Sequence, residues 1–346
     1  MTTDDQRLKQ LIDEMVTTIK VSGLTFMYLA RPAYERYGKD GEDAVRAGLR
    51  VYGKVRGKMM REWHEGMGLP INMETLMRYW DASSTYIIAD EMNSGIWTPY
   101  YVEHNVSFCP AHDMWKSEGW ERAAYIYCDE IHQEVAMNYH PDAVVEIHQN
   151  LNKGDPHCGF KWIMRPQPGE VDKAAYEKID RSAKERPVEY ALDSLKRTTR
   201  IVALMHCSLA EQFLERFKDE MMVRSSLREL GKKRGEMVAE KLKKSGKPIT
   251  VSSIFDSFDL AYRSIWKMDS KESNGQYSAT VEYCPLAELW AKVGKEKLGA
   301  IYCEETYSAM FETIAEKTGV AIDVKIPQTL TRGNGKCVFN ISLRKT

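Results

Sequence analysis

The chain has 346 residues, enough for about two domains of ordinary size. A hydrophobic content of 43% can fill genuine cores, and a formal net charge of -1 lacks the basic excess that a nucleic-acid surface needs. The first residues lack the basic-then-apolar order of a signal peptide, and no apolar run is long enough to span a bilayer. Seven cysteines, an odd number at low density, suit free thiols in a reducing compartment. The expectation is a cytoplasmic protein with a small-molecule substrate, no nucleic acid and no membrane, with homo-oligomer formation left open.

In chain order, Glu42 to Trp63 carries Ala44, Val45, Leu49, Val51 and Val55 at three- and four-residue spacing and predicts an amphipathic helix. Met73 to Met92 reads as another helix, ended by Asn93-Ser94-Gly95. Tyr100 to Cys109 is a β-prone run closed by Cys109-Pro110. Asp113 to Trp120 reads as a short helix, and Ala123 to Met137 as a helix halted near Pro141. Val144 to Gln149 and Cys158 to Met164 form a hairpin around the turn Asn152-Lys153-Gly154-Asp155. In its return strand, Cys158, Phe160, Trp162 and Met164 share one face. Arg165-Pro166-Gln167-Pro168-Gly169 breaks structure, and a charged helical connector follows to about Arg200. The basic runs Lys232-Lys233-Arg234 and Lys241 to Lys244 read as solvated helix faces.

The chain is internally duplicated. Cys109-Pro110 is followed by Trp115, Gly119 and Cys128, and Cys284-Pro285 by Trp290, Gly294 and Cys303, at identical offsets of six, ten and nineteen. Asp113, Asp129 and Glu130 match Glu288, Glu304 and Glu305. Gly154 to Phe160 parallels Gly333 to Phe339, placing Cys158 opposite Cys337, and Gly53-Lys54-Val55-Arg56-Gly57 parallels Gly231-Lys232-Lys233-Arg234-Gly235. The organisation expected is a first repeat over 1–168, a connector over 169–202 and a second repeat over 203–346. Helices on an antiparallel sheet in each repeat make an α+β class, and the expected arrangement of the two like units is a pseudo-dimer.

Three cysteines per repeat are compatible with plain core packing, and Cys207, which has no counterpart, reads as core. The histidines separate the copies: His64, His104, His112, His132, His140, His148 and His157 lie in the first, and the second has only His206 at its leading edge. Imidazole is the side chain suited to proton transfer near neutral pH, so the first repeat is the candidate for chemistry. Cys128 and His132, four apart on one helix, can meet as nucleophile and proton carrier, with Cys109 and Cys158 as further thiols. Asp155 and His157 in the hairpin turn supply a second acid–base pair, or simple turn chemistry. Asp129 lies about 100° round the helix from Cys128. No cofactor is required. Zinc or iron on Cys109, Cys128, Cys158 and His132 is the alternative, although no Cys-x-x-Cys knuckle occurs. His112, His140 and His148 carry less weight.

The ordered set Tyr37-Gly38, Gly53 to Gly57, Cys109-Pro110, Tyr127-Cys128-Asp129 and Gly154-Asp155 with Cys158 and Phe160 resembles the L-2-amino-thiazoline-4-carboxylate hydrolase family. The resemblance covers most of the first repeat and, more weakly, the second. It implies ring-opening hydrolysis of a five-membered sulfur–nitrogen heterocycle to a carbamoyl-cysteine type of product. Carried over by position are Cys109, Cys128, Asp129, Gly154, Asp155 and Cys158. The Gly-Asp-x-x-Cys-x-Phe hairpin also looks like the end of 4-vinyl-reductase-type sensor domains, which are small-molecule or metal-binding modules. The cysteine expected shortly before the glycine is absent, with Asn150 to Lys153 in its place. The leading expectation is a hydrolase cleaving a C–N or C–S bond of a small cyclic amidine or amide. The rival is a non-catalytic ligand- or metal-binding module.

Overall fold

A computed structural model describes residues 3–82, 95–165, 187–260, 262–273 and 276–345. The chain forms two compact units, one of Met1–Gly23 with Val45–Thr198, the other of Leu24–Ala44 with Thr199–Thr346. The divisions fall inside three helices, α1 (Thr3–Tyr37), α2 (Lys39–Gly66) and α6 (Pro187–Phe217).

The first unit contains α2 (Lys39–Gly66) from Val45 onward, α3 (Met73–Arg78), β1 (Ile96–Trp97), β2 (Tyr101–Val106), α4 (Pro110–Ser117), α5 (Tyr125–Tyr139), β3 (Ala143–Gln149) and β4 (Cys158–Met164). Its sheet is antiparallel in the order β1-β2-β4-β3. The second unit follows the same sequence of elements with one further short helix, α9: α7 (Glu220–Ser245), α8 (Val251–Asp256), α9 (Tyr262–Ile265), β5 (Lys267–Ser273), β6 (Gln276–Tyr283), α10 (Pro285–Lys292), α11 (Glu296–Thr318), β7 (Val320–Gln328) and β8 (Cys337–Lys345). Its sheet runs β5-β6-β8-β7, also antiparallel. The register repeats as well: Val106 faces Cys158 in one sheet, and Val281 faces Cys337 in the other. The α+β class and the duplication are both present. Among the described residues no helix is long and apolar enough to cross a membrane.

The repeated Gly-x-x-Arg-Gly has a steric cause. A Cβ on Gly53 would sit 2.8 Å from the Ile131 carbonyl oxygen, and one on Gly57 would sit 2.6 Å from that of Val135. On Gly231 and Gly235 it would sit 2.4 and 2.7 Å from the carbonyl oxygens of Thr306 and Met310. The absence of a side chain lets α2 lie directly on α5, and α7 on α11.

The arginine between the glycines is buried. Arg56 Nε donates to Asp81 Oδ2 at 2.8 Å, and Arg234 Nε to Asp259 Oδ2 at 2.6 Å; each pair is bidentate and 25 residues apart in sequence. This corrects the reading of Lys232-Lys233-Arg234 as wholly solvated, because the Arg234 side chain has no exposed surface. A guanidinium taken from water needs such a fork-on-fork partner.

Other sequence expectations shift. The helix from Met73 stops at Arg78, capped by Tyr79, rather than reaching Met92; residues 83–94 lie outside the described ones. The helix expected from Asp113 begins at Pro110, since a proline at the first helical position forfeits no hydrogen bond, and it ends at Ser117. Most of the connector lies outside the described residues. From Pro187 the chain is one helix through to Phe217, with no break near Arg200. The hairpin turns as expected, through a 3-10 turn at Leu151–Lys153 that closes on Gly154 at φ +96°.

Candidate functional site

In each unit the three repeated cysteines arrive from the same elements. Cys109 and Cys284 are the residues capping the N-termini of α4 and α10. Cys128 and Cys303 lie on α5 and α11, and Cys158 and Cys337 open β4 and β8. The three thiols of a unit are close enough to raise one another's pKa. Cys128 is pushed far above the ordinary thiol range, first by burial and then by Cys158 and Cys109. Burial also drives Cys158 up to about 12 and Cys303 up to about 12, and it raises Cys109, Cys284 and Cys337. Backbone amides oppose the rise at particular sulfurs. Those of Ala111 and His112 act on Cys109, and that of Leu151 donates to Cys158 Sγ at 3.4 Å. In the second unit Ala287 N donates to Cys284 Sγ at 3.4 Å and Leu330 N to Cys337 Sγ at 3.3 Å. The resting state is therefore a cluster of neutral thiols whose ionisation needs a base or a substrate.

The units differ in what surrounds that cluster. In the first, Asn152 Nδ2 faces Cys128 Sγ at 3.9 Å, and Asn152 Oδ1 accepts from His112 Nδ1 at 2.8 Å. A carbonyl oxygen can only accept, so the Nδ1 proton is committed to Asn152 and the His112 lone pair is on Nε2. Asn152 is itself held, its backbone N–H donating to Asn150 Oδ1 at 2.9 Å. By the same offsets that align the cysteines, the second unit has Ala287 at the His112 position and Thr331 at the Asn152 position. Sequence spacing gives His112 little weight and Asn152 only a turn role. The signal that would have found both is their replacement in a copy that keeps all three cysteines.

The other expected site residues have definite places. His132 does not turn its Nδ1 to the Cys128 thiol: Nδ1 bonds the Cys128 carbonyl oxygen at 2.7 Å, the local i to i+4 geometry of a helix. Its ring stacks on Trp80 and tilts against Phe160, and burial pushes its pKa down to about 4. Asp155 accepts from Asn150 N at 2.7 Å and braces the turn, as Asn334 Oδ1 does for Thr329 N at 3.1 Å. Asp129 pairs with Lys153 at 3.3 Å on the surface side of α5. His157 is half-buried just before β4. His64 bridges Tyr139 Oη and the Tyr79 carbonyl oxygen, a satisfied core histidine. Among the described residues no three His, Cys, Asp or Glu side chains are arranged to hold a metal ion.

In the second unit the same thiols line a cavity of about 430 Å³. Its walls include Tyr307, Phe311 and Phe339, with Arg332 and Glu304 also lining it.

The family model for L-2-amino-thiazoline-4-carboxylic acid hydrolase matches the chain twice, over residues 19–162 and 195–341. The chain belongs to this family. The two matches coincide with the duplicated cysteine patterns, so each repeat is a member in its own right. Cys109, Cys128 and Cys158 fall within the first match, and Cys284, Cys303 and Cys337 within the second. No curated protein and no solved structure matches the chain.

Proposed function

We propose that the chain is a hydrolase that opens a small cyclic amidine of the 2-aminothiazoline-carboxylate type, with its catalytic centre in the first unit. One observation carries this reading: Cys128, Asn152 and His112 form a connected thiol–amide–imidazole chain there, whereas the second unit keeps the thiol and lacks the other two.

The chemistry follows from these groups. The Cys128 sulfur attacks the amidine carbon between the ring sulfur and ring nitrogen, and in this reading His112 Nε2, the ring nitrogen that Asn152 leaves free, takes the thiol proton. The tetrahedral adduct collapses by breaking the bond from carbon to ring sulfur, which leaves as a thiol with the proton returned by His112. A covalent isothiourea on Cys128 remains. Water, deprotonated by the same imidazole, adds to that carbon and expels Cys128, giving a carbamoyl-amino thiol. Asn152 Nδ2 faces the sulfur at which negative charge develops, and its Oδ1 fixes the imidazole tautomer. Cys109, where the Ala111 and His112 amides oppose the effect of burial, is the neighbouring thiol.

The test is incubation of the full chain with L-2-amino-2-thiazoline-4-carboxylate, following thiol release, with rapid quenching and peptide mass spectrometry. The expected results are thiol release and an adduct on the Cys128 peptide. Thiol release with the adduct on another residue would reject Cys128, and no release would reject the substrate class.

A further inference from the structure

The second unit has a formed cavity and carries Ala287 and Thr331 where the first has His112 and Asn152. Its volume, about 430 Å³, lies within the range of small-molecule sites. Cys284, Cys303 and Cys337 line it with Tyr307, Phe311 and Phe339. The thiols are neutral, because burial raises all three. The lining is therefore soft and polarisable, suited to a flat ring containing sulfur or nitrogen. The charged lining residues are Arg332 and three acids, Glu304, Glu312 and Asp323. The Arg332 guanidinium lies 3.7 Å from the Glu304 carboxylate, both about half exposed, so a ligand carboxylate can take the arginine at little cost. Glu312, also lining the cavity, is occupied by Arg228 at 2.7 Å.

No histidine lines this cavity. Ala287 replaces His112, Thr331 replaces Asn152 and Tyr307 replaces His132. The remaining histidine of the second repeat, His206, packs against Trp290 and Tyr302 instead.

We infer that the second unit is a non-hydrolytic binding site for a small carboxylate-bearing heterocycle, the same chemical class that the first unit turns over. The inference rests on the proposed function for its choice of ligand, and on the cavity for its existence. The first unit supplies turnover, and the second holds the ligand without consuming it.

Calorimetric titration of the Cys128→Ala chain with L-2-amino-2-thiazoline-4-carboxylate tests this. Two equivalents should bind per chain. Ala287→Trp, which fills the cavity from α10, should reduce this to one, and Arg332→Ala should weaken the same equivalent by about tenfold. Arg332 is about half exposed, so this second variant keeps the test valid if the tryptophan disturbs folding. A single equivalent, untouched by both substitutions, would overturn the inference. Turnover by the unsubstituted chain is read separately. Hydrolysis with one insensitive equivalent sinks the second site alone. No hydrolysis with one equivalent removed by Ala287→Trp keeps the second site and sinks the proposed function.

Discussion

His112 and Asn152 share a 2.8 Å hydrogen bond, made while the opposite end of the same amide faces the Cys128 sulfur. The two residues are 40 apart in sequence, on α4 and in the β3–β4 turn. The bond fixes which imidazole nitrogen is basic. His112→Ala should lower kcat by about 10²- to 10⁴-fold, the usual range for loss of a general base. Asn152→Ala should cost less, roughly tenfold, for one hydrogen bond to a developing thiolate. Steady-state kinetics on both variants checks this, with circular dichroism confirming that each is folded.

The buried Arg234–Asp259 pair should dominate the stability of its unit. Asp259→Leu strands a guanidinium with no exposed surface and should cost about 3–5 kcal/mol. Arg234→Met combined with Asp259→Leu should recover most of that, because no lone charge is left behind. Urea unfolding of the two variants reads the difference. Equal losses would mean that packing rather than charge sets the cost.

The helix crossings should be intolerant of volume. Gly235→Ala places a Cβ 2.7 Å from both the Met310 carbonyl oxygen and Thr313 Cβ, so backbone must move. A loss of about 1–3 kcal/mol in denaturant unfolding is expected. Gly246→Ala is the useful contrast. Nothing lies within 4 Å of its Cβ, and the cost there comes from φ +63° alone.

Acid should unfold the protein through its histidines. Burial holds His64 and His132 down to about 4, and His104 and His206 down to about 3. Each takes a proton more readily unfolded, at about 6.5, than folded. Stability is therefore unaffected by these groups above about pH 6.5 and falls as pH drops from there toward 3–4. His206 has neither ring nitrogen hydrogen-bonded within the described residues, so His206→Phe removes its share without breaking a bond. The variant should gain on the order of a few kcal/mol over the parent near pH 4 and show a flatter stability profile. Parallel profiles would place the proton uptake elsewhere.

The duplication, the hairpin and the α+β class were legible because they rest on local signals: fixed offsets, period-two alternation and a Gly-Asp turn. The Cys109-Pro110 helix start was misplaced by three residues because a proline before an acid reads equally as a strand end. Asp81 and Asp259 went unseen because each is an isolated acid whose partner lies 25 residues back. The pairing is non-local, and only their equal spacing from Arg56 and Arg234 hinted at it. His132 drew attention by standing four residues from Cys128, yet a helix offers its imidazole a carbonyl at that spacing before it offers a thiol. His112 gives no local signal because its partner Asn152 lies 40 residues further along the chain.

The division of labour between the repeats is tested most directly by turnover of L-2-amino-2-thiazoline-4-carboxylate in two matched variants, Cys128→Ala and Cys303→Ala. Cys128→Ala should abolish measurable hydrolysis, and Cys303→Ala should leave kcat within about twofold of the parent. Full activity in Cys128→Ala, or its loss in a folded Cys303→Ala protein, would contradict the account.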